Sequence, residues 1–160
     1  MSKLTLSRQH AETVLGNALT AQNFSPAAFA AHAAIWLEAC NYPGLQILED
    51  GMTDTRVDTA FARDQSGIDL RNMSCVKIGE RVLNDVSLNG RTHLRNVRHG
   101  LFLVPASVMH NLSIGCAVDA SFAFGGVRIL NPYAEKLAMA DEAGVHLDEA
   151  LWTQLTRGDK

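Results

Sequence analysis

Apolar positions along the chain fall into three regimes. Over residues 7–21, Ala11, Val14, Leu15, Ala18 and Leu19 recur at i, i+3, i+4, i+7 and i+8 while Arg8, Glu12 and Asn17 fall elsewhere. That spacing predicts an amphipathic helix with one buried stripe. A second helix is predicted from Ser25 to about Cys40. Ser25 is a capping residue type, Pro26 is preset for the first helical position, and Phe24 can staple onto Phe29. Its stripe is Phe29, Ala33, Trp36, Leu37 and Cys40, and its alanines let a partner helix approach closely, so an antiparallel hairpin with the first helix is expected. "YPGLQILEDG" predicts a third, short helix opened near Pro43 and stopped by Gly51.

Residues 52–68 are polar, mixed in sign and without clear period, as a surface loop or a short strained element would be. The second regime follows. Asn89-Gly90 tolerates the positive φ angles of a type I′ turn, which makes a two-residue hairpin the leading reading of "VSLNGRTHL". Cys75, Ile78, Val82 and Val86 also fit a helical stripe, so helix and strand stay open for residues 72–98. "GLFLV" at 100–104, closed by Pro105, and "IGCAV" at 114–118 read as short buried strands, and Gly125-Gly126 between "SFAF" and "VRIL" as a further tight hairpin. The third regime is helical again. Asn131 caps, Pro132 takes the first position, Tyr133, Leu137 and Ala140 form a stripe, and Gly144 ends it. A last helix runs from Asp148 to about Arg157, with Leu147 stapled onto Trp152.

Helices and strands are thus segregated along the chain, which predicts an α+β class: an N-terminal helical hairpin and C-terminal helices packed on a small, mostly antiparallel sheet from the middle of the chain. A length of 160 residues is that of one domain able to bury about two-thirds of its unfolded surface. Within it, residues 5–52 are expected to be helical, 53–68 loop, 69–130 strand-rich and 131–158 helical.

Composition narrows the function classes. The chain is 47% hydrophobic with a formal net charge of −3, which argues against general attraction to nucleic acid or to anionic lipid. No apolar run approaches the roughly 20 residues of a bilayer span, and the opening residues lack a signal-peptide core, so a cytoplasmic location and no membrane partner are expected. Cys40, Cys75 and Cys116 are widely spaced and read as buried free thiols. The common phosphate-loop, dinucleotide, zinc-protease and serine-hydrolase motifs are missing. No cofactor and no metal site is therefore expected, and the histidines share no ligand spacing.

One cationic run stands against the overall charge. "RTHLRNVRHG" places Arg91, His93, Arg95, Arg98 and His99 within residues 91–100. Arg91, Arg95 and His99 are spaced by four, which puts them on one face of either a strand or a helix; His93 joins them in the strand and Arg98 comes nearer in the helix. Such like charges need an offset, from solvent, from acids such as Asp85 or Asp119, or from a bound carboxylate or phosphate. As a site, Arg91, Arg95, Arg98 and His93 would clamp the anion, with His99 as proton donor and Asp119 as base. A solvated or internally salt-bridged face is the stronger reading. His32, beside the stripe of the second helix, reads as a satisfied, half-buried histidine.

Two functions fit these features. The first is a non-catalytic binding or assembly module, self-associating through the alanine-rich helix that bears Phe29, Ala33 and Trp36 or through an edge strand. The alternative is an enzyme or sensor for a small carboxylate- or phosphate-bearing metabolite, built on the cationic run. Nucleic acid is not expected as a partner, because aromatics do not interleave with the basic residues.

The helix pair ending in Trp36-Leu37 and followed by Pro43-Gly44-Leu45, with "RVLNDVSL" preceding "GLFLVP", resembles a bacterial family known as domain of unknown function 3726. The resemblance implies a bacterial protein and, since that family has no established activity, assigns no catalytic residue.

Overall fold

The computed structural model describes residues 2–54, 63–116 and 133–157, with Gly115 and Cys116 described as backbone. Its core is organised around one helix. Ser7 caps α1 (Arg8–Ala21) by accepting a hydrogen bond at Oγ from the His10 amide at 3.2 Å, and Ala11, Leu15 and Leu19 are buried as the spacing predicts. Helix α2 (Ala27–Ala39) has eight of its thirteen residues buried, which is why its sequence is apolar almost all round. Against α1 it runs antiparallel: Glu12 meets His32, and a Cβ placed on Gly16 would lie 3.7 Å from that of Ala31. Ser25 does not cap α2. Pro26 occupies the capping position, so the N-terminus has no side-chain acceptor there.

Helix α3 (Gly44–Met52) follows with Pro43 at its own capping position. Since proline offers no acceptor, the carboxylate of Glu38 on α2 substitutes, receiving the Leu45 amide at Oε2 over 2.9 Å. Burial raises the Glu38 carboxyl pKa, partly offset by that bond. Gly51 was expected to stop α3 but lies within it, because a Cβ there would come within 2.3–2.6 Å of Val76 and Ser74. Its role is close approach to the next helix.

The Asn89-Gly90 hairpin is overturned. Residues Cys75–Asn89 form one helix, α4, burying Cys75, Val76, Ile78, Gly79, Val82, Leu83 and Val86, and Gly90 at φ +80° ends it. A left-handed glycine serves a helix stop as well as a hairpin turn, and here the helical stripe wins. The middle sheet has the order β2-β3-β4-β5, built from β2 (Arg63–Asp64), β3 (Gly67–Asp69), β4 (Thr92–Arg95) and β5 (Ile114–Cys116). Its β2–β3 pairing is antiparallel, whereas β3–β4 and β4–β5 are parallel, so the sheet is mixed where mostly antiparallel pairing was expected. Each parallel pair has a helical crossover, α4 between β3 and β4 and the segment containing α5 (Val104–Met109) between β4 and β5. "GLFLV" is also not a strand: residues Gly100–Leu103 form a 3-10 turn that continues into α5 (Val104–Met109), and Phe102, Leu103 and Val104 are buried there.

The C-terminal part holds α6 (Ala134–Ala143), ended by Gly144 at φ +88°, and α7 (Glu149–Thr156), whose Asp148 cap accepts the Leu151 amide at 2.9 Å. Between them β6 (Val145–Asp148) pairs antiparallel with β1 (Lys3–Leu6), with Leu4 opposite Leu147 and Leu6 opposite Val145. Neither strand was anticipated. The Asn131-Pro132 start, the Gly125-Gly126 turn, and Ala117 and Val118 of the "IGCAV" run lie outside the described residues. With seven helices, a two-stranded ribbon and a mixed four-stranded sheet among the described residues, the class is α+β. No described helix is long and apolar enough to cross a membrane.

Candidate functional site

The cationic run divides instead of converging. On β4, Thr92 and Leu94 are buried while Arg91, His93 and Arg95 point outward, as strand parity requires. That parity ends with the strand. Asn96 and His99 both adopt positive φ, at +52° and +60°, and the chain turns away before His99. Arg95 is engaged by Asp64, with Nη2 to Oδ2 at 2.9 Å and Nη1 to Oδ1 at 3.3 Å, and also by the Ser66 hydroxyl. The Arg95 hydrogen bonds hold the Asp64 carboxyl far below the usual carboxylate range. Arg98 turns to Asp54, Nη1 to Oδ2 at 3.6 Å. Asp85, the acid expected near the arginines, serves Arg63 instead at 2.8 Å. Arg91 and His93 are exposed, and Asp119 lies outside the described residues. The anticipated Arg91–Arg95–His99 face is therefore not formed.

His99 joins a different cluster, where the C-terminal end of α3, the first turn of α4 and the 3-10 turn meet. Its Nδ1 lies 2.7 Å from the Oγ of Ser74, the cap of α4, and the same oxygen accepts the Val76 amide at 3.2 Å. Burial, then the Arg98 charge, lowers the His99 pKa and favours a neutral imidazole, to whose Nδ1 the Ser74 hydroxyl can donate. Asp54, whose side chain is 3% exposed, accepts the Ser74 amide at Oδ2 over 2.8 Å, and its carbonyl accepts the Lys77 ammonium. Asp, Ser and His thus meet, but not as a nucleophilic triad. The carboxylate holds the serine backbone and not the imidazole, and the hydroxyl is fully buried and already accepts from the helix. The cluster is a clasp that fixes three chain segments.

A separate concavity lies elsewhere in the fold. A groove of about 700 Å³ runs between α1 and α2, bordered by Met109 of α5 and Asp141 of α6. Its floor is made of small residues, Gly16, Ala28 and Ala31, and its walls carry Gln9, Thr13, Asn17 and Thr20. Two charged pairs face it. Arg8 donates to Asp141 through Nε and Nη2 at 2.7 and 2.9 Å, a bidentate pair that neutralises itself. Glu12 Oε1 lies 3.0 Å from His32 Nδ1, and this hydrogen bond is the main reason that the Glu12 carboxyl sits below its ordinary pKa. An ionised Glu12 is an acceptor, so Nδ1 carries the imidazole hydrogen.

His32 Nε2 is buried and has no hydrogen-bond partner among the described residues. The Glu12 carboxylate lines the groove with its ionised form favoured. The expectation that His32 is half-buried holds, yet only one of its two ring nitrogens is satisfied. The pairing was hidden in the sequence because it depends on the register of the helical hairpin, which sets residues twenty apart against each other.

Cys40 is buried, and desolvation pushes its thiol pKa up to about 11, so it is not poised as a nucleophile. Among the described residues no cluster of three histidine, cysteine, aspartate or glutamate side chains is arranged to hold a metal ion. No protein family, curated protein or solved structure matches this chain.

Proposed function

We propose that this protein is a small-molecule binding module and that the groove between α1 and α2 is its site. The observation that carries this reading is the Glu12–His32 pair, an ionised carboxylate bonded to a half-buried imidazole, set beside a floor of Gly16, Ala28 and Ala31 in a concavity of about 700 Å³. Ligand sites combine a concave, largely apolar surface with a few oriented polar groups, and this volume lies in the usual range of several hundred Å³. The groove is formed by the two packed helices of the hairpin, and its charged side chains are held by hydrogen bonds to one another.

The alternative of a carboxylate or phosphate site on the cationic run has less support, because Arg95 and Arg98 are each already engaged by an aspartate. Self-association through α2 has less support too: Ala33 and Trp36, 1% and 3% exposed, are buried within the chain, and Phe29 is partly buried against the same core. A thermal-shift panel of small polar metabolites tests the groove reading, run on the native chain and on Ala28→Leu, which fills the floor at an exposed helical position. A ligand that raises Tm in the native chain and not in the variant is expected. Equal stabilisation of both, or none across the panel, overturns it.

A further inference from the structure

We infer that the ligand of this groove is a small organic cation, an alkylammonium group seated against Glu12 with its carbon chain along the floor. This rests on the groove being a binding site, as proposed above. Four ionisable side chains line the concavity: Arg8, Glu12, His32 and Asp141. Arg8 is held by Asp141 in a bidentate pair that occupies its Nε and Nη2. Glu12 keeps an open oxygen. Its Oε1 is bonded to His32, and Oε2 takes no hydrogen bond among the described residues. Glu12 is also only partly buried, its side chain 37% exposed, so a ligand can reach it.

The chemistry of the remaining partners points the same way. A carboxylate oxygen accepts and never donates when ionised, whereas the hydroxyls of Thr13 and Thr20 and the amides of Gln9 and Asn17 can donate or accept. The carboxylate therefore decides the charge of the ligand: an ammonium group is matched by Glu12, whereas a carboxylate or phosphate would meet it with like charge. The floor supplies the other half of the recognition. Gly16, Ala28 and Ala31 project no more than a methyl group, leaving a shallow apolar track beside the carboxylate for methylene groups.

The test is a ¹H–¹⁵N correlation titration of the full chain at pH 7.5 with three near-isosteric probes: n-butylamine, 1-butanol and butyrate. Saturable shifts at the amides of Gly16, Asn17, Ala31 and His32 with butylamine alone are expected. Glu12→Gln, which keeps an acceptor for His32, should weaken the butylamine response about tenfold, as loss of a charge-assisted contact does. Ala28→Leu should abolish it, with peak dispersion in the same spectra reporting that the variants are folded. Stronger groove shifts with butyrate or butanol than with butylamine would overturn the cationic class while leaving the groove as a site. Silence at these amides with all three probes, or a butylamine response unchanged in both variants, would overturn the site as well.

Discussion

Replacing Ser74 by alanine examines the clasp at the start of α4 in quantitative terms. The substitution removes two hydrogen bonds at one buried oxygen: the 3.2 Å bond from the Val76 amide and the 2.7 Å bond to His99 Nδ1. Loss of a serine cap costs about 1 kcal/mol, within a range of about 0.5–2. The imidazole nitrogen left without its partner is half-buried, which adds about 1 kcal/mol more. The bond from the Ser74 amide to Asp54 is made by the backbone and survives, so it contributes nothing to the difference. A total loss of about 2 kcal/mol is expected, read in urea as a lower midpoint at unchanged slope. For a chain of 160 residues that corresponds to a Tm lower by about 4–8 °C. A loss below about 0.5 kcal/mol would refute the account of Ser74 as a doubly used cap, because the cap alone should exceed it.

Three further outcomes follow from the same geometry. His99 has a lowered pKa in the fold, so as pH falls below the unfolded value near 6.5 the unfolded chain gains protons that the native state does not, and stability declines. Denaturant midpoints between pH 7.5 and 5.5 should therefore fall more in the native chain than in His99→Asn, a residue that tolerates the φ of +60°; parallel profiles would contradict this. Gly44→Ala sets a Cβ 2.1 Å from the Ala34 carbonyl oxygen and should destabilise by about 3 kcal/mol, whereas Gly16→Ala meets Ala31 at an ordinary 3.7 Å and should stabilise by up to about 1 kcal/mol. Thermal melts that rank the two glycines equally would count against the packing described. Cys40, with its pKa near 11, should be alkylated by iodoacetamide at pH 8 at least about a hundredfold more slowly than in the unfolded chain, followed by peptide mass spectrometry; labelling at the unfolded rate would show that the thiol is not buried.

Where periodicity was long and capped, the sequence was legible. The α1 stripe and the Asp148 cap of α7 appear where the spacing and residue types put them. The failures share a cause in short signals with two physical solutions. Asn89-Gly90 marks a left-handed residue, and both a hairpin and a helix terminus require one. "GLFLV" is five apolar residues long, too short for period to separate strand from helix, and burial on all sides erases alternation. β1 and β6 have four residues each, and alternation that brief becomes informative once the partner strand 139 residues or more away is known. The groove was illegible for a related reason. Glu12 and His32 are ordinary polar residues until the hairpin register brings them to 3.0 Å. Conversely, the spacing of Arg91, Arg95 and His99 looked robust because helix and strand both align it, yet the segment is neither after Arg95.

The central claim is that Glu12 presents an ionised carboxylate with one open oxygen to the groove, and the titration of that carboxyl group measures it most directly. Carboxyl ¹³C shifts of the glutamates followed against pH should show Glu12 losing its proton below the ordinary glutamate value, through its hydrogen bond with His32. A Glu12 carboxyl that titrates at or above that value would contradict the charge assigned to the site and with it the choice of a cationic ligand.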